Sequence, residues 1–247
     1  MGNRIGWNGF DGFALKMIAI VSMTVDHSAA SVLLLCIKTG KLSKEWITVY
    51  RAMRGMGRIA FPIFCFLLVE GYFHTRSKMK YLGRLFLFSL ISELPFDLAL
   101  KGQLFYREHQ NVFFTLCIGM GVICILDELK KKVGEGIGYY MAAVAVIFAG
   151  MELSAFLRTD YKRFGVLMIV LLFYAYRQRM AAVVLELYAL ILFFENELPA
   201  LFALPLLMLY NGKRGHPVKY FFYLFYPVHL AILYVICCRM GLYASFL

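Results

Sequence analysis

The stretch "LKMIAIVSMTVDHSAASVLLL", residues 15–35, places Asp26 and His27 side by side within a long apolar run. Folded as a helix, a run of this length can cross the roughly 30 Å hydrocarbon core of a membrane. Because an ionised group is costly in hydrocarbon, carboxylates and histidines inside such helices normally face a partner, a cavity or a functional site. The stretch therefore predicts a membrane helix that carries part of a functional site.

The rest of the chain has the same apolar character. Hydrophobic residues make up 62% of the 247 residues, and the mean hydropathy is +0.71; a typical soluble domain is roughly 45–50% apolar. We predict an all-α, polytopic transmembrane bundle of about eight to ten helices, formed by a single domain over residues 1–247. The first apolar run is too long for a cleavable signal peptide, so we expect it to remain as a helix. The predicted helices cover residues 13–37, 56–73, 82–100, 111–128, 137–157, 164–176, 181–195, 198–210 and 219–238.

Some segments depart from a simple membrane span. The predicted helices at 164–176, 181–195 and 198–210 are short, so we expect them to tilt, to re-enter the membrane or to be buried among the others. The longest polar connection, roughly residues 38–55, predicts a short interfacial helix around Trp46.

The formal net charge is +11. The cations are scattered over short loops between apolar runs, which is typical of membrane-flanking anchors and not of a nucleic-acid surface. They divide almost equally between the two sides of the bundle, so the positive-inside rule leaves the orientation open. The lipid bilayer is therefore a predicted partner, nucleic acid is not, and the oligomeric state stays open.

Helical geometry separates the polar residues of the first helix. Lys16 and His27 are eleven residues apart, almost three whole turns, so they project from nearly one face about 16 Å apart. Asp26 points about a quarter-turn aside, toward a neighbouring helix. Because imidazole titrates near neutral pH and is a common general base, His27 is the predicted catalytic base. Asp26 is predicted to be its orienting or structural partner.

A buried base reached along a cationic wall suits an acyl-CoA donor, which carries phosphates at one end of a long arm and a thioester at the other. Lysine and arginine donate charge-assisted hydrogen bonds to phosphate. The predicted donor-binding residues are Lys16, Arg51, Arg54 and Arg58. The three arginines are expected near the end of the bundle opposite the lysine.

Further polar side chains recur inside the predicted helices. Glu70 and His74 are one helical turn apart, and so are Glu93 and Asp97, which flank Pro95, a predicted helix breaker. Ion pairing between helices, with Arg58 or Arg84 as the cation, is an alternative explanation for the second pair. Helix N-capping is the expected role of the asparagine in "QNVFFT". The full set of additional candidates is Glu70, His74, Arg84, Glu93, Asp97, Asn111, Tyr226 and His229.

Six segments along almost the whole chain resemble a known family. They are "LKMIAIVSMTVDH", "GRIAFPIFCFLLVEGYFHT", "KYLGRLFLFSLISELPFDLA", "QNVFFTL", "YNGKRG" and "KYFFYLFYPVHL". In this order they resemble the TraX family, membrane proteins associated with N-terminal acetylation of conjugative F-pilin. The resemblance implies an acetyl-CoA-dependent acetyltransferase in the bacterial cytoplasmic membrane.

A wider resemblance concerns two short motifs. Lys16, ten residues and then His27 are similar to the basic-x10-His pattern of membrane acyltransferases that O-acylate sugars. "RAMR", residues 51–54, is similar to the RxxR motif of that group. The resemblance implies that the histidine is the base and that the arginines bind the acyl donor. It leaves the acceptor open between a pilin-like or other exported peptide and a glycan, and between N- and O-acetylation.

Two other function classes use similar residues. A proton-coupled transporter also buries Asp, Glu and His near the membrane midplane, but the sequence shows no repeat of the kind that many transporters contain. A metal-dependent membrane hydrolase could use His27, Glu70, His74 and an aspartate. It would more often carry an HExxH-like ligand pair, which this sequence lacks, and no metal is predicted. Acyl transfer is the favoured prediction.

Overall fold

The computed structural model describes residues 9–176 and 198–243, and this part of the chain folds into a bundle of helices. The predicted all-α, polytopic fold is confirmed. The helix predicted at 181–195 lies outside the described residues. The helices are α1 (Gly12–Lys38), α2 (Ile47–Gly57), α3 (Ala60–His74), α4 (Lys78–Lys101), α5 (Val112–Val133), α6 (Ile137–Phe156), α7 (Lys162–Ala175), α8 (Ala203–Met208) and α9 (Lys219–Arg239).

Five stretches of the described chain are long and apolar enough to cross a membrane: α1, α2 with α3, α5, α6 and α9. α4 has 24 residues, but Arg84, Glu93 and Asp97 interrupt its apolar sequence. α7 has only 14 residues. Its buried side chains include Val166 and Ile169, which are completely enclosed by the bundle. The short α7 is therefore buried among the other helices, which is one of the three alternatives predicted for it.

The connection after α1 is more helical than the sequence indicated. A 3-10 turn at Lys44–Trp46 leads directly into α2, so the predicted short helix near Trp46 is present and extends to Gly57. The predicted start of the next helix at residue 56 is wrong. A turn at Arg58 and Ile59 separates α2 from α3.

The prediction that Pro95 breaks its helix is also wrong, because α4 continues through it to Lys101. A proline inside a helix removes one backbone hydrogen bond and costs about 3 kcal/mol or more. In an apolar bundle, packing against neighbouring helices offsets this cost. α4 packs extensively against α5 and α9.

α5 lies at the centre of one half of the bundle and packs against α4, α6 and α7. α7 approaches it closely at Gly165, where a Cβ atom would lie 2.4 Å from Cγ2 of Thr115. The Thr115 hydroxyl donates to the carbonyl oxygen of Asp160 and lies 3.0 Å from the hydroxyl of Thr159. These contacts hold the α6–α7 loop against the beginning of α5.

The outer face of α6 is apolar. Ile137, Met141, Val144 and Phe148 are 62% to 83% exposed. Large aliphatic and aromatic side chains in these positions are suited to contact with lipid, where only helices with internally satisfied backbones are tolerated. The bundle therefore turns apolar side chains outward on this helix, and its polar side chains gather inside.

Candidate functional site

Two histidines from distant parts of the chain form the centre of the site. Nδ1 of His27, on α1, lies 2.7 Å from Nε2 of His229, on α9. The two rings are nearly parallel, with centroids 5.0 Å apart. Nδ1 of His229 lies 2.9 Å from the carbonyl oxygen of Phe225, one turn earlier in α9. The sequence predicted both histidines as candidates, and the structure brings them together.

The hydrogen-bond chain determines which ring nitrogen of each neutral histidine carries the proton. A carbonyl oxygen only accepts, so Nδ1 of His229 must donate to Phe225. Nε2 of neutral His229 is then an acceptor, and Nδ1 of His27 donates to it. The remaining lone pair is on Nε2 of His27, which has no hydrogen-bond partner among the described residues. Nε2 of His27 can therefore accept a proton.

The backbone after His27 has an unusual conformation. Residues Ala29–Leu33 form a π-helical turn inside α1. Ser31 donates its hydroxyl to the carbonyl oxygen of His27 at 2.6 Å. π-Helical turns occur frequently at functional sites. Here the small side chains of "SAAS", residues 28–31, allow the wider turn. The hydroxyl of Ser31 supplies a hydrogen bond to the backbone carbonyl oxygen of His27.

His27 lines a cavity of about 380 Å³. Asp26, Arg54 and Arg58 also contribute to its wall, so four of the predicted site residues share one chamber. Arg51, the other arginine of the RxxR motif, is on the exposed face of α2 and is not among the lining residues. The further polar lining comes from Lys38, Tyr50, Lys101, His109, Asp160, Tyr161 and Tyr243.

Asp26 points away from the histidine pair and toward α2. It accepts a hydrogen bond from Arg54 in an ion pair whose two side chains are both largely buried. Its other oxygen, Oδ1, is buried without a hydrogen-bond partner among the described residues. Helical geometry predicted that Asp26 points about a quarter-turn away from His27, toward a neighbouring helix. In the structure that helix is α2 and the cation is Arg54. Asp26 joins α1 to α2 beside His27.

Asp160 is a site residue that the sequence analysis missed. It lies in the α6–α7 loop and lines the cavity of His27. Burial opposes its ionisation, but the hydrogen bond with His109, at 3.4 Å, and the charge of Arg58 outweigh burial and hold the pKa of Asp160 below its usual value. Asp160 is thus an anion within the chamber of the histidine pair.

The loop that carries Asp160 has a strained backbone. Arg158, Tyr161 and Lys162 all have positive φ angles, between 45° and 60°. Such conformations cost about 1–3 kcal/mol each and cluster at functional sites. The available sequence signal was the single acidic residue in the basic stretch "LRTDYKR", residues 157–163. Nothing in that stretch indicates a cavity.

Glu93, Asp97 and Asn111 organise the loop between α4 and α5, which supplies His109. Asn111 caps α5 by accepting from Phe113 N–H at 3.0 Å, as predicted, and its own N–H donates to Glu93 at 3.2 Å. Asp97, only 1% exposed, accepts the Tyr106 N–H at 2.7 Å. Glu93 and Asp97 therefore accept hydrogen bonds from amide groups of the loop.

A second group of predicted residues lines a different cavity, of about 720 Å³. It contains Lys16, Glu70, His74 and Arg84. The structure therefore does not bring Lys16 into the chamber of His27, although both lie on α1. The sequence predicted that Lys16, Arg54 and Arg58 bind the donor together. In the structure, Lys16 lines the larger cavity and the two arginines line the cavity of His27.

Within the larger cavity, Glu70 is held by hydroxyl groups. Tyr176 donates to its Oε2 at 2.8 Å and Tyr210 to its Oε1 at 3.0 Å. His74 donates from Nδ1 to the backbone carbonyl of Glu70 at 2.9 Å, and its side chain is 64% exposed. The buried carboxylate thus ties α3 to the chain segments after α7 and α8.

An aromatic partition separates the two cavities. Tyr226 packs edge-on against the ring of His27, with centroids 5.8 Å apart. Phe113 packs edge-on against Tyr226 at 5.0 Å and lines the larger cavity. Two rings therefore lie between the larger cavity and the proposed base. Tyr226 is 3% exposed and belongs to this partition.

The TraX protein family model matches residues 11–237 of the chain. The chain belongs to the TraX family. The resemblance to the TraX family predicted from the sequence is confirmed, and the match includes both histidines and every residue that lines the two cavities except Tyr243. A curated relative, the "Probable fimbrial assembly protein FimC, serogroup H1" of Dichelobacter nodosus, is 34% identical over 251 residues, covering 91% of this chain and 94% of that protein. No solved structure matches.

The described part of this TraX-family chain does not suggest a metal site. Within residues 9–176 and 198–243, no group of three or more His, Cys, Asp or Glu side chains is arranged to hold a metal ion. The prediction of a metal-independent reaction stays a prediction.

Proposed function

We propose that this protein transfers an acetyl group from acetyl-CoA to an amine or hydroxyl group of an acceptor, with His27 as the general base. The observation that supports this most directly is the chain from Phe225 through His229 to His27. It leaves a lone pair on Nε2 of His27, whose side chain lines a cavity. A general base needs this protonation state and access to its substrate.

In the proposed step, the nitrogen or oxygen of the acceptor attacks the thioester carbonyl carbon. A C–N or C–O bond forms, and Nε2 of His27 takes the proton that the acceptor loses. The C–S bond then breaks, and the departing thiolate of CoA takes the proton from His27. The products are the acetylated acceptor and free CoA, and His27 returns to its starting state.

The surroundings of His27 support its proposed role. Arg54 and Arg58 line the same cavity, where positive charge offsets the negative charge that develops on the thioester oxygen. Asp160 is placed to balance the charge of the imidazolium that forms during the step. His229 is a positioning residue, because it orients His27 and selects its tautomer.

A pilin-like peptide is the acceptor favoured by the comparisons. The relative from Dichelobacter nodosus is named as a probable fimbrial assembly protein, and the family resemblance implies acetylation of a pilin N-terminus. With such a substrate, the proposed location is the bacterial cytoplasmic membrane, where exported subunits are available. A glycan acceptor would share the same base and the same donor.

The test is acetyl transfer from labelled acetyl-CoA in lipid nanodiscs, with envelope peptides and glycans as acceptors. His27→Ala is expected to lower the rate about 10²- to 10⁴-fold, the usual contribution of a general base. Thr24→Val is the matched control on α1, since among the described residues its hydroxyl bonds only to the carbonyl oxygen of Ile20 in the same helix. Mass spectrometry of the products identifies the acceptor. Full transfer activity in His27→Ala would exclude the proposed base.

A further inference from the structure

The larger cavity collects cations from four separate segments of the chain. Lys16 comes from α1, Arg76 from the α3–α4 connection, Arg84 from α4 and Arg214 from the loop before α9. Glu70 is the carboxylate in the wall, and both of its oxygens already accept tyrosine hydroxyls. The cavity of about 720 Å³ therefore has an excess of positive charge.

These cations have no carboxylate partner within salt-bridge distance among the described residues. Nζ of Lys16 lies over the ring of Phe222, 5.4 Å from its centroid. The guanidinium of Arg84 lies 5.6 Å from the ring of Tyr81, and its Nε is buried without a hydrogen-bond partner. The Arg84 side chain also has a hydrogen-bond partner in the hydroxyl of Tyr223. Both side chains line the cavity, where the positive charge of the guanidinium is available to a ligand that carries acceptors.

A further carboxylate, Asp11, interacts with the charge of Lys16. Its Oδ1 accepts from Ala14 N–H at 2.8 Å as the N-cap of α1. A Cβ atom at Gly215, whose φ is +69°, would lie 2.5 Å from Oδ2 of Asp11. Asp11 therefore holds the loop in place and offsets part of the charge of Lys16, and the cations around the cavity still outnumber the carboxylates.

The motif "YNGKRG", residues 210–215, forms the rim of the cavity. Its backbone is bound to the beginning of α1, with Gly12 N–H donating to Lys213 at 2.8 Å and Asn211 N–H donating to Phe10 at 2.9 Å. Arg214 is therefore carried by a loop with a defined position at the cavity wall. A pre-positioned cation loses less freedom when it binds an anion.

We propose that this cavity binds the phosphate groups of the acyl-CoA donor. This inference rests on the proposed function and names the place of its donor. Guanidinium groups match phosphate oxygens through paired charge-assisted hydrogen bonds, and three arginines with one lysine suit a ligand that carries several phosphates.

The position of the cavity fits the length of the donor. Lys16 and His27 are about 16 Å apart along α1, so phosphates near Lys16 leave an extended arm to reach the base. For the thioester to reach His27, the arm has to pass Phe113 and Tyr226, the two rings that separate the cavities. Arg54 and Arg58 then act at the thioester end, and the phosphates lie in the other cavity.

The experiment measures binding of CoA, without any acceptor, to the full chain in phosphatidylcholine nanodiscs. Arg214→Gln and Arg84→Gln are each expected to raise the Kd about tenfold or more, as loss of one charge-assisted contact predicts. Lys213→Gln and Lys80→Gln are the matched controls, because both change the same charge in the same loop or helix without lining the cavity. Arg214 is exposed, so its variant tests the site even where Arg84→Gln fails to fold.

The outcomes separate this site from the proposed reaction. If the cavity variants bind CoA normally while the wild type transfers acetyl groups, the site is overturned and the reaction stands. If they lose CoA binding although the wild type transfers nothing, the site stands and the reaction is overturned. A second arm uses phosphatidylglycerol nanodiscs. Loss of retained anionic lipid in Arg214→Gln, with unchanged affinity for CoA, would assign the cavity to a lipid headgroup and overturn the inference.

Discussion

The close approach of α2 to α1 at Gly57 provides a test of how the site is held together. A Cβ atom at Gly57 would lie 2.2 Å from Cβ and 2.3 Å from Oδ1 of Asp26. Apolar atoms in contact are normally about 4 Å apart, so Gly57→Ala requires the helices to separate by more than about 1 Å. Asp26 precedes His27 and pairs with Arg54, so this separation disturbs the ion pair and the base together.

Two effects of Gly57→Ala have estimable sizes. Overpacking of this kind costs about 1–3 kcal/mol of stability, so the variant is expected to fold with a lower melting temperature. A misplacement of about 1 Å at a catalytic group costs about 10²-fold in rate. We therefore expect acetyl transfer to fall about a hundredfold, with unchanged affinity for CoA, because the phosphate-binding cavity is lined by other residues.

The assay combines thermal melting with initial rates of transfer in nanodiscs. Gly55→Ala is the control on the same helix: within the described part of the chain its Cβ would meet only the side chain of Pro199, at 3.4 Å and 3.7 Å, which is ordinary contact. Since alanine also favours a helix over glycine, this control is expected to be as stable and as active as the wild type. Wild-type melting and wild-type rate in Gly57→Ala would refute the argument that this contact positions His27.

Two further predictions concern the neighbours of the base. His229→Ala removes the acceptor for Nδ1–H of His27 and is expected to lower kcat about 10- to 100-fold with little change in KM; His229→Gln, whose carbonyl oxygen can accept this proton, should recover part of the rate. ¹⁵N NMR of the histidines is the independent readout, and an unchanged tautomer of His27 in His229→Ala would contradict the assigned role. Asp160→Asn removes an anion whose pKa is below its usual value. The stabilisation by Asp160 is therefore fully present above the unfolded pKa of about 3.9 and is lost as pH falls through the lower folded pKa. The difference in melting temperature between wild type and Asp160→Asn should be constant from about pH 6 to about pH 8 and shrink below about pH 4; a constant difference down to about pH 3 would show that the charge is not responsible.

Helix positions and local polar roles were predictable from the sequence because they depend on short-range patterns. The apolar run of α1 places Asp26 and His27 on different sides of one helix, and Asn111 precedes α5 as an N-cap. The same reasoning failed at Pro95. A local cost in hydrogen bonding predicts a break, whereas packing of α4 between neighbours decides that the helix continues.

The arrangement of the cavities was not predictable in this way. Helical periodicity says which side of its own helix a residue takes, but it does not say which helix lies on that side. Lys16 and His27 share nearly one face of α1, yet each lines a different cavity. Asp160 lies in the site because its loop has positive φ angles. No periodic pattern in the sequence predicts such a loop conformation.

The sequence by itself determined a polytopic α-helical membrane protein of the TraX family, because long apolar runs and extended motifs carry that information locally. It also placed a histidine deep in the first helix. Only the tertiary structure decided that His229 is the partner that selects the tautomer of His27, and that the cations divide between two cavities. The physical reason is that these contacts join residues up to 202 positions apart, and packing among all the helices determines which side chains meet.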